Sequence, residues 1–91
     1  MIANPMGRSS VVEEIRGWMV AYLADLLGMA PQEICTATSF EAYGLDSTAA
    51  AGMSADLGEW LGIELDAGVA YEFPTIDAVA QYLAEELEKG T

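Results

Sequence analysis

The chain has 91 residues, a size at which one core hides only about 60 to 65% of the surface an unfolded chain exposes, so one small domain is expected with no enclosed catalytic cleft. It is 53% apolar, enough to fold, but the apolar residues fall in short groups, and neither a transmembrane span nor a secretory signal is expected. Fifteen acidic residues against three basic ones give a net charge of -12, which repels nucleic acid and anionic lipid and attracts basic protein surfaces.

Residues 1–8 carry Asn4, Pro5 and Gly7 without apolar periodicity and read as a flexible leader; 9–89 read as the folded domain. Val12, Ile15, Met19, Leu23 and Leu26 recur every three or four positions, predicting a first amphipathic helix. Ser9 or Ser10 is its expected N-cap, with Glu13 completing a capping box behind Ser10, and Gly28 followed by Pro31 marks its end. From Pro31 to Gly44 the periodicity stops. Ile34, Phe40 and Leu45 remain as apolar anchors, so a long ordered loop over the bundle is expected.

A second helix is predicted from Asp46 or Ser47 to about Leu61, with Ala50, Met53, Leu57 and Leu61 on its apolar stripe and Gly62 closing it. Ala49 to Gly52 make its first turns slim, which tightens packing or leaves room beside the helix. One short helical turn is expected within Leu65–Tyr71. Thr75 or Asp77 then opens a last helix whose buried face is Ile76, Val79, Ala80, Leu83 and Leu87. The sum is an all-α four-helix bundle, three main helices plus one short one, with a long first loop.

Chemistry concentrates at Tyr43-Gly44-Leu45-Asp46-Ser47, where a hydroxyl and a carboxylate meet the start of the second helix. The chain has no histidine, which removes the usual general base, the usual partner of a serine nucleophile and a common zinc ligand. Ser47 therefore reads as a residue acted upon, and no catalytic residue is assigned. Cys35 is the sole cysteine, so an internal disulfide and a multi-thiolate metal site are excluded; it reads as a small, inert thiol unless it is exposed with a lowered pKa. Trp18 and Trp60 sit beside apolar stripes and read as core edges, Trp60 being a docking aromatic if exposed.

With Phe40-Glu41-Ala42-Tyr43-Gly44-Leu45-Asp46-Ser47, the frame Met53, Leu57, Leu61-Gly62-Ile63, and Tyr71-Glu72-Phe73-Pro74-Thr75-Ile76 followed by Val79 and Tyr82-Leu83, the chain resembles the acyl carrier proteins, in particular carrier domains of polyketide synthases. The resemblance implies that Ser47 is esterified to a 4′-phosphopantetheine arm, taken from coenzyme A by a phosphopantetheinyl transferase, with Asp46 beside the transferase's metal and phosphates. The arm then carries acyl groups as thioesters between enzymes. Implied partners are the transferase, a loading enzyme (acyltransferase or acyl-AMP ligase), and a ketosynthase or other synthase enzyme with a basic patch. Leu45, Thr48, Met53, Asp56, Glu59 and Glu64 are the expected partner-binding residues. A cytoplasmic, monomeric, non-catalytic carrier without nucleic-acid or membrane partners is expected.

Two positions depart from the family's pattern: Thr48 stands where leucine is usual, and Gly52 where an acidic residue is frequent. The alternatives are a peptidyl carrier of a nonribosomal peptide synthetase, whose members more often have a second glycine where this chain has Leu45, a fatty-acid-synthesis carrier, or an unmodified helical interaction domain.

Overall fold

A computed structural model describes residues 8–89, ordered as α1 (Arg8–Leu27), a 3-10 turn (Pro31–Glu33), α2 (Ser47–Leu61), α3 (Val69–Glu72) and α4 (Ile76–Lys89). The expected all-α four-helix bundle is the fold, and the only strand-like pairing among the described residues is an isolated bridge between Ser39 and Thr75. The leader expected at the N-terminus lies, through residue 7, outside the described residues.

The backbone of α1 begins at Arg8, ahead of both expected cap positions, so the helix runs through Ser9 and Ser10. Serine costs only about half a kcal/mol in a helix interior, less than the packing that follows on Val12 and Ile15 returns. Both apolar residues are buried, as are Met19 and Leu23, while Leu26 lies at the helix end and is exposed, off the stripe expected for it. The C-terminus closes as expected: beyond Gly28, the Met29 N–H bonds back to the Ala24 carbonyl at 2.9 Å.

Met53 and Leu57 of α2 and Ile76, Val79 and Leu83 of α4 complete the central core with Ile15, Met19 and Leu23. Each is a large side chain withdrawn from water, contributing about 1.5 to 3 kcal/mol by burial. The long first connection is anchored by buried Ile34 and Phe40, as expected, and also by backbone bonds absent from any sequence pattern. Phe40 N–H donates to the Pro74 carbonyl (2.8 Å) and Asp77 N–H to the Thr36 carbonyl (3.0 Å), tying the loop to the entrance of α4. The Tyr43 hydroxyl pins the loop to itself, accepting from Cys35 N–H at 2.6 Å and donating to the Cys35 carbonyl at 3.2 Å.

The short helix begins four residues later than the earliest expected start. Asp66 holds the chain in a turn first: its Oδ1 accepts from Gly68 N–H (2.9 Å) and its carbonyl from Val69 N–H (3.0 Å). Of the two caps weighed for α4, Thr75 is the one used, its Oγ1 accepting from Ala78 N–H at 3.0 Å. Asp77 lies inside the first turn and pairs with Arg16 of α1 (2.9 Å), whose guanidinium also holds Glu13 (2.7 Å). Such part-exposed pairs contribute about 0 to 1 kcal/mol and serve mainly to fix α1 against the start of α4.

Candidate functional site

The site grows from the turn Phe40–Asp46. Gly44 takes φ 82°, a left-handed conformation that a side chain would strain, and this reversal lets Leu45 N–H reach the Phe40 carbonyl at 3.1 Å. The chain then extends through Asp46 (φ -88°, ψ -179°) and enters α2 at Ser47. Asp46 Oδ1 accepts from Ala49 N–H at 2.8 Å, and its carbonyl from Ala50 N–H at 2.9 Å. Asp46 is thus a true N-cap.

With the third amide of α2 taken by Asp46, those of Ser47 and Thr48 have no hydrogen-bond partner among the described residues. They lie at the positive end of a fifteen-residue helix, where an anion is favoured. The Ser47 and Thr48 side chains are both exposed. Ser47 stands at the rim of an open groove of about 350 Å³, floored by Phe40, Leu45, Ala50 and Ala70 and edged by Tyr71 and Pro74. Ala50, from the slim segment, contributes to that floor, whereas Gly52 faces α1, where a Cβ would lie 3.9 Å from the Tyr22 hydroxyl. The residues present fit a covalently attached phosphodiester: an accessible hydroxyl, two open amides beneath it, and a groove with an apolar floor leading away.

Among the expected partner-binding residues, Thr48, Asp56, Glu59 and Glu64 are exposed and Leu45 is half-buried at the groove. Met53 is the exception and is corrected: at 1% exposure it lies in the core, because it falls one helical turn before Leu57 on the buried stripe. Asp56 is not an idle surface charge either. It hydrogen-bonds the Tyr22 hydroxyl, and partial burial, followed by that carboxylate, raises the phenol's pKa above its ordinary value. Trp18 and Trp60 stack on each other across the α1–α2 seam. Cys35 is exposed, and its pKa is lowered chiefly by a hydrogen bond from Thr38. Both conditions under which the thiol is not expected to be inert are met, and it is accessible with raised thiolate character. Sequence reasoning passed over Ala70, Tyr71 and Pro74 as groove residues; the Tyr71-to-Ile76 motif marked the segment without indicating which side chains meet α2.

A family model described as the phosphopantetheine attachment site matches residues 17–83, from mid-α1 to the core of α4. The acyl carrier protein TtuC of Teredinibacter turnerae is 35% identical over 72 residues, covering 79% of this chain and 83% of that protein. A phenolphthiocerol/phthiocerol polyketide synthase of Mycobacterium tuberculosis is 35% identical over 78 residues, 86% of this chain but only 4% of that much longer protein. Among solved structures, a free-standing peptidyl carrier protein from a secondary metabolic pathway of Acinetobacter baumannii superposes with a TM-score of 0.73 at 32% identity, covering 89% of this chain and 96% of that one. The match spans the core, the long first loop and the entrance of α2 together, and the chain belongs to the phosphopantetheine-binding carrier proteins, as a carrier domain of the acyl carrier type.

Proposed function

We propose that Ser47 is the residue bearing the 4′-phosphopantetheine arm and that the chain serves polyketide assembly as a non-catalytic, monomeric carrier in the cytoplasm, with residues 9–89 as its functional unit. The observation carrying this is the exposure of Ser47 at the first position of α2, above open amides and at the rim of the groove. Several other hydroxyls within the matched span serve the fold. Ser54 is buried and donates to the Ala50 carbonyl, Ser39 accepts from Ala42 N–H, and Thr75 caps α4. Thr48 is exposed, but it sits one residue further into the helix and about 100° around it.

When attached, the arm supplies a terminal thiol that holds an acyl group as a thioester. The chain's own residues orient and present it. The Ser47 and Thr48 amides would hold the phosphodiester, and the groove's apolar floor would take up an apolar part of the arm. Asp46 caps the helix through Oδ1, and its second oxygen would be available to a divalent cation of the transferase; without one, this carboxylate would repel the approaching pyrophosphate of coenzyme A. Leu45, Thr48, Asp56, Glu59 and Glu64 form the face read by the transferase, the loading enzyme and the ketosynthase. The charge of -12 steers basic surfaces toward it.

Intact-protein mass after incubation with coenzyme A and a broad-specificity phosphopantetheinyl transferase tests this reading. Wild type gains one arm, and Ser47→Ala gains none while keeping its helical spectrum. An alanine variant that is still modified would sink the assignment. The likeness to a peptidyl carrier supports a second reading, in which the load is an aminoacyl group. Competition between acyl-loading and aminoacyl-adenylating enzymes for the holo chain separates the two.

A further inference from the structure

Three aromatic rings stack in a row along the α1–α2 seam: Trp18 meets Tyr22 at 5.2 Å between centroids with 22° between planes, and Trp60 at 5.5 Å with 15°. Trp18 and Tyr22 are one turn apart on α1, and Asp56 and Trp60 one turn apart on α2, so the row is fixed from both helices. Trp18 is the middle ring. Trp60 is an end ring and 46% exposed, an unusual placement for an indole in a chain with so small a core.

The surroundings of that exposed ring are acidic. Glu59 precedes it, Glu14 is exposed one turn before Trp18 on α1, and Asp56 lies one turn back on α2, toward the Tyr22 end of the row. The described ion pairs commit Arg16 to Glu13 and Asp77, and Lys89 to Glu86, away from this seam. An aromatic face rimmed by carboxylates matches one side chain above others. A planar guanidinium stacks on the indole while its N–H fork reaches a neighbouring carboxylate, whereas an ammonium, more strongly hydrated and without the fork, gains less from either. A second copy of this chain is a poor occupant, since each brings a charge of -12.

We infer that the Trp18–Trp60 stack is a docking platform for an arginine presented by a basic partner protein. It lies about 20 Å along α2 from Ser47, so a partner held there leaves the helix entrance open. The platform does not depend on Ser47 being modified.

The test uses the whole 91-residue chain and two labelled synthetic peptides of equal length and charge, one with arginine and one with lysine at every basic position, followed by fluorescence anisotropy at low and high salt. The arginine peptide is expected to bind about fivefold more tightly. Trp60→Ala abolishes that preference with the helical spectrum retained, Trp60→Phe keeps part of it, and Glu85→Gln on α4 leaves it unchanged. Equal binding of the two peptides, or a preference that survives Trp60→Ala, reduces the interaction to polyanion attraction and overturns the proposal. Self-association in sedimentation that disappears in Trp60→Ala overturns it too, by assigning the patch to a second copy.

Discussion

The two ends of α2 are built in opposite ways. At its entrance, Ser47 and Thr48 are exposed, the side chains are small, and the helix is held by one capping carboxylate. Two to three turns on, Met53, Leu57 and Gly58 are buried, and the Ile63 N–H returns to the Gly58 carbonyl at 2.9 Å to close the helix. The difference shows how a small domain keeps a hydroxyl both accessible and fixed in place: much of the rigidity comes from further along the helix. On the proposed function, a group that several enzymes must reach cannot be surrounded by its own packing, and the helix carrying it is clamped elsewhere.

Substitutions along α2 break or sharpen this contrast. Leu57→Ala removes a fully buried side chain and should cost about 2 to 5 kcal/mol, read as a large drop in the thermal midpoint and loss of helical signal. A midpoint within a degree or two of wild type would contradict the packed end. Gly58→Ala is smaller in chemistry but strained, because its Cβ would lie 2.8 Å from the Ile63 carbonyl oxygen; about 1 to 3 kcal/mol of destabilisation is expected by denaturant titration.

Asp46→Ala, at the open end, should cost about 1 kcal/mol through loss of the cap, and it should slow arm attachment far more than that modest instability explains. Gly52→Ala is the counterpart of Gly58→Ala. Its Cβ meets only the Tyr22 hydroxyl at an ordinary 3.9 Å, so the gain in helix propensity, about 0.5 to 1 kcal/mol, should appear as a higher thermal midpoint. Destabilisation at both glycines would mean that the helix is equally tight along its length.

The smallest effect lies in the loop. Hydrogen bonding from Thr38 favours the Cys35 thiolate, so alkylation by iodoacetamide should rise at a lower pH than for an ordinary thiol. Thr38→Val should move that profile back toward higher pH. An unshifted profile in wild type would show that the loop does not hold Thr38 against the thiol.

Most of the fold was legible because helices announce themselves by period: Val12, Ile15, Met19 and Leu23, or Ile76, Val79 and Leu83, fall at intervals of three and four that only a helix can bury together. The entrance of α2 was legible for a different reason, since Gly44 and Asp46 have local jobs that need no tertiary partner. What remained hidden depends on contacts between distant segments. Nothing near Phe40 indicates that its N–H ends on Pro74, and nothing near Trp18 indicates that its ring lies on Trp60. Met53 shows the converse: it stands among the expected partner-binding residues, while its helical phase, which also assigns it to the core, places it inside. Asp66 delayed α3 because a side-chain turn competes locally with the helix, an effect that periodicity does not register.

The decisive measurement is the location of the arm on the protein after modification by coenzyme A and the transferase, read by tandem mass spectrometry of the peptide spanning the entrance of α2. Ser47 and Thr48 are adjacent, both exposed and both hydroxylated, so the fragment series that separates them is the sharpest discriminator. The added mass should reside on Ser47 in every modified molecule, with fragments beginning at Thr48 unshifted. Mass on Thr48, or on any hydroxyl away from the start of α2, would contradict the claim that the open helix entrance is what makes this chain a carrier.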